Sequence, residues 1–155
     1  MRFRITGLSP EPFRHLYGLG DHELALLGVT RYIADKEQGF PDRIEMRDAA
    51  IGERLLLLNH MSQRAATPYR ATHAIFVREG AENTYDRVDV VPEVMRRRLL
   101  SLRAFDAGGM MLDADIVDGT NIEGLIACLF GSPHVEYIHA HNAKRGCYSG
   151  RIDRV

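Results

Sequence analysis

Tryptophan is absent from this sequence of 155 residues, cysteine occurs only twice, and charges of the two signs nearly cancel. The 20 Lys and Arg residues against 21 Asp and Glu residues leave a formal net charge of −1. No overall basic field therefore exists to attract nucleic acid or an anionic membrane, and neither is expected as a partner. No apolar run, the leucines of Leu55–Leu58 included, approaches the roughly 20 residues of a membrane-spanning helix.

The N-terminal segment MRFRITGLSPEPF has no apolar core of signal-peptide length, because arginines interrupt it. The two cysteines, Cys128 and Cys147, are too few for a disulfide-stabilised scaffold in a chain of this length. We therefore expect a cytoplasmic protein with free thiols. The sequence has no P-loop, dinucleotide-binding fingerprint, His-Glu-x-x-His or Gly-x-Ser-x-Gly element, which removes the common nucleotide enzymes, zinc proteases and serine hydrolases as first interpretations.

The residue pattern predicts one domain over residues 1–155, because no linker, repeat or low-complexity stretch divides the chain. The predicted fold class is α+β, with a mostly antiparallel sheet, three or four short helices and a C-terminal β-hairpin. The predicted strands are Phe3–Thr6, Val29–Ala34, Arg54–His60, Ala71–Arg78, Ser101–Phe105, Met110–Val117, His134–Asn142 and Cys147–Asp153. The predicted helices begin at Ser9-Pro10, cover His22–Leu27 and Asp89–Leu100, and run from a capping box at Thr120–Glu123 to Gly131.

Four segments together resemble a known bacterial family. They are FRITGL near the N-terminus, TPYRATHAIFVREGAE in the middle, RRRLLSLRAFDAGGMMLDADIVDG further on, and HAHNAKRGCYSGRID near the C-terminus. Over essentially its full length the chain is similar to the family catalogued as Domain of Unknown Function family 1203, which has no established activity, substrate or cofactor. The family pattern Gly-Phe/Tyr-Pro-Cys-Arg reads Gly39-Phe40-Pro41-Asp42-Arg43 in this chain, with Asp42 at the position of the cysteine. The resemblance implies one intracellular domain and no particular chemistry.

The pair His139 and His141 is the first candidate for chemistry. If their segment is a strand, residues two apart share a face, so both imidazoles project together with Tyr137. Two such histidines form half of a typical zinc or iron site, which needs a third ligand from another strand. That ligand would be one of His73, His60, Asp113 and Asp115. The alternative is that the histidines only hydrogen-bond to neighbours on a half-exposed sheet face.

Cys147 is the second candidate, as a nucleophile with a histidine as its base. The length of the turn before it decides whether the thiol shares a face with the histidines. A four-residue loop over Ala143–Gly146 pairs Asn142 with Cys147 and puts the thiol on the opposite face, whereas a five-residue loop pairs His141 with Cys147. The shorter loop is favoured, because Gly146 suits the left-handed position, and it leaves the thiol a structural role.

An anion-binding surface is the third candidate. Its predicted contributors are Tyr69, Arg70 and His73 at the start of a strand, and Asn142, Lys144, Arg145 and Tyr148 around the last turn. Arginine binds carboxylate or phosphate through paired N–H donors, and exposed turn amides add further donors. The alternative is that the arginines pair with the abundant surface Asp and Glu residues. The basic run Arg96–Arg98 has no adjacent aromatic residue and spreads around a helix, which argues against nucleic-acid binding.

Together these candidates favour a small-ligand site, for a metal ion or an anion, between the central strand at His73 and the C-terminal hairpin at His139 and His141. In an enzyme, His73, His139, His141 and Cys147 would be the catalytic residues. The alternative is a non-catalytic interaction domain that forms a homodimer through exposed strand edges. The small-ligand hypothesis requires His73 and His139 to lie within about 15 Å of each other, because coordination and hydrogen bonding act over a few ångströms.

Overall fold

Two antiparallel sheets and three short helices make up the computed structural model, which describes all 155 residues. The strands are β1 (Phe3–Thr6), β2 (Thr30–Ile33), β3 (Arg54–Gln63), β4 (Ala71–Arg78), β5 (Asp86–Val88), β6 (Leu99–Phe105), β7 (Met111–Asp118), β8 (Tyr137–Asn142) and β9 (Tyr148–Arg154). The helices are α1 (Asp21–Leu26), α2 (Glu93–Arg96) and α3 (Ile122–Leu129), with 3-10 turns at Arg14–Leu16 and Gly119–Asn121. None of these helices is long and apolar enough to cross a membrane. The α+β class, the antiparallel pairing and the C-terminal hairpin of β8 and β9 are confirmed.

The larger sheet has the strand order β5-β1-β9-β8-β6-β7, and the smaller sheet has the order β2-β3-β4. One face of the larger sheet carries the main core. Leu102, Ile138 and Ile152 project from neighbouring strands on this face and are fully buried. Met95 from α2 and Ile126 from α3 pack into the same cluster. The strand period of two therefore directs one set of alternate side chains under the helices.

The opposite face of the larger sheet meets the smaller sheet across a second core. Leu56 on β3 and Ile75 and Val77 on β4 are buried in one cluster with Tyr148 from β9. The next inward-facing pair along these strands is His60 opposite His73. The space between the sheets thus changes from apolar to polar along β3 and β4.

The prediction of a helix over Asp89–Leu100 is wrong for most of its length. Helix α2 covers only Glu93–Arg96, and β6 begins at Leu99. Leu100 and the alternate residues after it are buried against the sheet core, so strand pairing with β8 takes over where the helix was expected to continue. The sequence pattern also does not predict β5, and the segment after Ser9-Pro10 forms a 3-10 turn at Arg14–Leu16 in place of a helix.

The start of α3 also differs from the predicted capping box. Asp118 caps the 3-10 turn at Gly119–Asn121 that leads into α3, because its carboxylate accepts hydrogen bonds from the backbone N–H and the hydroxyl of Thr120 at 2.9 and 2.7 Å. The side chain of Glu123 instead forms an ion pair with Arg96 of α2. The capping role therefore lies two residues earlier than the pattern of Thr120 and Glu123 indicates.

Strand β7 forms one edge of the larger sheet and is exposed on both faces. The carboxylates of Asp113 and Asp115 accept hydrogen bonds from the next backbone N–H groups, those of Ala114 and Ile116, at 2.8 and 2.7 Å. These side chains occupy donors that a further strand would need for pairing. The edge is thereby protected against the addition of another strand.

Candidate functional site

Four histidines meet where the core between the two sheets ends. His60 and His73 form a cross-strand pair on β3 and β4, and His139 and His141 share one face of β8. The ring centroids of His73 and His141 lie 4.8 Å apart, and those of His139 and His141 lie 6.5 Å apart. The fold therefore brings together the two segments that the sequence singled out.

Tyr148 packs among these imidazoles because of an irregularity in β9. Tyr148 pairs with His141 while Gly150 pairs with Ala140, so Ser149 is an extra residue on the β9 side. The Tyr148 ring stands nearly perpendicular to the rings of His139 and His141, with centroid distances of 5.2 and 5.8 Å. Burial raises the pKa of Tyr148, which keeps this phenol neutral.

The hydrogen bond of His141 fixes its tautomer. Its Nδ1 lies 2.9 Å from the backbone carbonyl of Gly146, and a carbonyl only accepts, so Nδ1 carries the proton. Burial lowers the pKa of His141 to about 3, with Arg103 contributing in the same direction. His141 is consequently neutral at physiological pH and its Nε2 has a free lone pair.

His139 and His60 are held neutral in the same way. Burial lowers the pKa of His139 to about 4, assisted by the charges of Arg151 and Arg103. Burial likewise lowers the pKa of His60 to about 4. Nδ1 of His139 is buried and has no hydrogen-bond partner, which is unusual for a buried polar atom.

His73 is more exposed to solvent than the two histidines of β8. It is half-buried, and its Nδ1 lies 3.1 Å from the hydroxyl of Ser62. Burial lowers the pKa of His73, and the charge of Arg103 lowers it further. Of the three histidines whose pKa values Arg103 lowers, His73 is therefore the one best placed to meet a ligand from solvent.

Arg103 of β6 lies opposite His139 in the sheet and was not selected as a site residue from the sequence. It is half-buried, its Nε donates to the hydroxyl of Ser101 at 3.3 Å, and it forms no ion pair with any carboxylate. Burial alone lowers its pKa. Arg151 flanks His139 on the other side but is paired with Asp153 at 2.8 Å. Arg103 is thus a cation without a counter-ion beside three neutral imidazoles.

An aromatic wall borders Arg103 on the side away from Ser101. Phe105 stacks on Tyr137 at a centroid distance of 5.4 Å, and Tyr69 meets Phe105 edge-on at 6.4 Å. The phenol of Tyr137 accepts a hydrogen bond from Gln63 at 2.8 Å. We call the polar space between the two sheets, around the four histidines and Arg103, the cleft. Tyr69 belongs to the segment that joins β3 to β4, so this segment lies at one end of the cleft.

Cys147 lies on the other face of the hairpin from the two histidines of β8. The loop Ala143–Gly146 has four residues, since the N–H of Asn142 donates to the carbonyl of Cys147 at 2.9 Å, and Gly146 has a φ of 74°. The sulfur of Cys147 lies 3.2 Å from a guanidinium nitrogen of Arg43 and 3.7 Å from the amide of Asn142. The favoured loop length is confirmed, and Cys147 has Arg43, in place of a histidine, as its closest polar neighbour.

Arg43 is a buried residue that the sequence analysis did not select. Its guanidinium donates to the carbonyls of Tyr148 and Pro41 at 2.8 and 2.5 Å, in addition to the sulfur of Cys147. These bonds hold β9 beside the loop at residues 39–43. Lys144 and Arg70, by contrast, are exposed and form no side-chain hydrogen bond or ion pair.

The histidines do not form a metal-ligand set in this structure. No three side chains of His, Cys, Asp and Glu are arranged so that they could hold one metal ion. Asp113 and Asp115, two of the proposed third ligands, pair with Ala104 and Leu102, whose side chains face the helix side of the sheet.

Two surface depressions lie elsewhere. One has a volume of about 450 Å³ and is lined by His60 together with Phe13, Val29 and Arg64. Another of about 340 Å³ lies beside Asp89 and Glu123. Neither is lined by Arg103, His73 or His141.

Comparison with known proteins gives a family but no activity. Residues 39–154, three quarters of the chain, match the family described as "Protein of unknown function (DUF1203)". No curated protein and no solved structure is significantly similar to the chain. All the polar residues of the cleft lie within the matched range.

Proposed function

The chain belongs to the DUF1203 family of proteins of unknown function, and from the geometry of the cleft we propose that it binds a small anion at Arg103 and carries out acid–base chemistry on it. The single observation behind this proposal is the half-buried guanidinium of Arg103, which has no carboxylate partner and lies among His73, His139 and His141. Charged groups that are removed from water are normally paired.

A bound carboxylate or phosphate would supply the missing counter-ion. Of the five N–H donors of Arg103, only Nε is engaged within the protein, so its terminal nitrogens can bind two oxygens of one anion. The neutral imidazoles of His73 and His139 favour this arrangement as well, because each has an N–H group that can donate a hydrogen bond without adding a charge. The aromatic wall of Tyr69, Phe105 and Tyr137 provides an apolar border on one side.

The two facing histidines are suited to opposite roles in proton transfer. His141 has its Nδ1 proton held by Gly146 and its Nε2 free, so it acts as the proton acceptor. His73 is half-buried and close to Arg103, and a bound anion would raise its pKa toward and above the ordinary value. His73 would then be the proton donor. Different surroundings for two neighbouring titratable groups are the usual basis of such an assignment.

Binding is tested by calorimetric titration of the protein with inorganic phosphate and with acetate at low ionic strength. Arg103→Gln removes the charge while keeping a polar side chain, and we expect at least tenfold weaker binding, since hydrogen bonds to charged groups contribute about 1.5–3 kcal/mol. Arg97→Gln is the matched control, because Arg97 is exposed and pairs only with Glu93. Equal affinity of wild type and Arg103→Gln, or no binding of either anion at millimolar concentration, would contradict the proposal.

The proposal also includes a cytoplasmic location in a bacterium. It is supported by Cys128 and Cys147, which are both free, as is usual for proteins of a reducing compartment. The homodimer remains an alternative, but the carboxylates of Asp113 and Asp115 at the edge of β7 disfavour its formation by pairing of these edges.

A further inference from the structure

The side chains next to Arg103 on the open part of the sheet indicate what else the ligand contains. We propose that the ligand is an amphipathic anion, a carboxylate or phosphate joined to an aliphatic chain of several carbons, whose chain lies on β6 and β7. The inference rests on the proposed function, because the anionic head is placed at Arg103.

The strand register connects Arg103 directly with an apolar surface. On the face that carries the histidines, Arg103 lies opposite Ala114 of β7, and Ser101 lies opposite Ile116. Neighbouring strands are about 4.8 Å apart, and diagonal neighbours on one face are about 7–8 Å apart. An aliphatic chain that runs from an anionic head at Arg103 in the direction away from His139 therefore contacts Ala114 first and Ile116 next.

This apolar surface is exposed over its whole length. Ile116 is 59% exposed and Leu99 44%, and both project on the same side of the sheet as Arg103. The smaller sheet lies over β8 and β9, where His73 touches His141, whereas the side chains of β7 are largely exposed. We call Leu99, Ala114 and Ile116 the apolar strip.

A small amphipathic molecule fits this strip better than a second protein chain does. The carboxylates of Asp113 and Asp115 occupy the outward N–H groups beside the strip, so a partner strand cannot pair there without displacing them. In a two-fold antiparallel pairing centred on Ala114, Asp113 of one copy would face Asp115 of the other, and like charges directly opposite each other are destabilising. The unpaired charge of Arg103 beside Ala114 of the strip selects an anionic head.

The test measures affinity as a function of chain length. Methyl, butyl and hexyl phosphate are titrated in parallel with acetate, butanoate and hexanoate, so that each series keeps one head group. Full burial of a methylene corresponds to about a fourfold gain in affinity, and contact on one side only to about twofold. We expect hexyl phosphate to bind at least tenfold more tightly than methyl phosphate.

Substitutions in the apolar strip test where the aliphatic chain of the ligand lies. In Ile116→Ser the gain from chain length should fall to threefold or less, while the affinity for methyl phosphate stays within twofold of wild type. Leu99→Ser should show a smaller effect of the same kind. Ile33→Ser is the control, since Ile33 is equally exposed on β2 of the smaller sheet and should leave the gain unchanged.

The outcomes separate the two proposals. If methyl phosphate and acetate bind but affinity is independent of chain length, the proposal of an amphipathic ligand is wrong, whereas the proposal of an anion site at Arg103 is retained. If neither head group binds, both are wrong. A gain that persists in Ile116→Ser overturns the assignment of the strip, and so does dimerisation on addition of hexyl phosphate, observed by sedimentation velocity.

Discussion

The two faces of the larger sheet differ although they belong to the same strands. On one face, Leu102 and Ile138 lie in a fully buried apolar core under the helices. On the other face, Arg103 and His139 are the next residues along those strands and lie among polar and aromatic neighbours. One face of this sheet therefore stabilises the fold, whereas the other tolerates groups that are unfavourable for stability. Such groups are typical of sites where function and stability conflict.

The largest effect is expected from the adjacent residues Ile138 and His139. Ile138→Ala should lower the free energy of unfolding by about 2–5 kcal/mol, because it leaves a cavity in a closely packed core. His139→Gln should cost less than about 1.5 kcal/mol, since the volume is similar and Nδ1 has no hydrogen-bond partner to lose. Urea unfolding of both variants measures the difference. Equal losses of unfolding free energy in the two variants would mean that the two faces of the sheet contribute equally to stability.

The second prediction concerns the pH dependence of stability. The pKa values of His139 and His141 are about 4 and about 3 in the folded protein, below the ordinary value of about 6.5 that applies to the unfolded chain. Between these limits the unfolded chain binds protons that the folded protein does not, so stability falls as the pH drops from about 6.5 to about 4. Each histidine contributes a slope of about 1.4 kcal/mol per pH unit in this window.

Replacement of one histidine sharpens this prediction. His139→Gln should remove about one such slope between pH 6 and pH 4.5, measured by urea unfolding at several pH values. His22, on α1 and exposed, provides the control His22→Gln, which should leave the slope unchanged. A His139→Gln slope identical to that of wild type would show that His139 is not held neutral by the fold.

The third prediction is that removal of Arg103 does not destabilise the protein. Arg103→Met keeps the aliphatic contacts and removes a half-buried charge without a partner, so the free energy of unfolding should stay equal or rise by up to about 1 kcal/mol. The same variant should lose anion binding. A loss of stability of more than about 1 kcal/mol would show that Arg103 has a structural role, and the contrast between the two faces would then not hold at this residue.

The smallest effect on stability is expected at the edge of β7. Asp113→Ala/Asp115→Ala frees the N–H groups of Ala114 and Ile116, and these are exposed to water, so stability should change by less than about 1 kcal/mol. Self-association should nevertheless increase, because the edge is no longer protected. Sedimentation velocity measures it, with Asp35→Ala as a control at an exposed position. An unchanged monomer fraction would show that the two carboxylates do not protect the edge of β7 against self-association.

Local pattern was sufficient for some parts of the site. The alternation in Tyr137–His141 correctly indicates that both imidazoles of β8 share a face, and Gly146 correctly indicates the four-residue loop that turns Cys147 away from them. Both features depend only on neighbours in the sequence. The small-ligand hypothesis required His73 to lie near the histidines of β8, but local pattern could not predict its contact with His141, because that contact depends on how two separate sheets pack.

Other parts lay beyond prediction from the sequence because they depend on long-range pairing. The basic residues at 96–98 drew attention as a run, whereas Arg103 acquires its importance from lying beside His139 on β8, a strand that is distant in sequence. The prediction that the helix continues beyond Arg96 was wrong for the same reason, since pairing of β6 with β8 outweighs local helix propensity. The polar residues Ser101 and Arg103 at alternate positions of a strand whose other side chains are apolar were the signal that could have indicated a second, functional face.

The anion site at Arg103, with histidines in opposite protonation roles, is tested most directly by ¹⁵N NMR of the imidazole rings at pH 6 during a titration with inorganic phosphate. We predict that His73 shifts toward the imidazolium form as phosphate binds, while His141 remains the neutral Nδ1–H tautomer, and that Arg103→Gln abolishes the phosphate-dependent shift of His73. No shift of His73 in the wild type, or the same shift in Arg103→Gln, would refute this assignment.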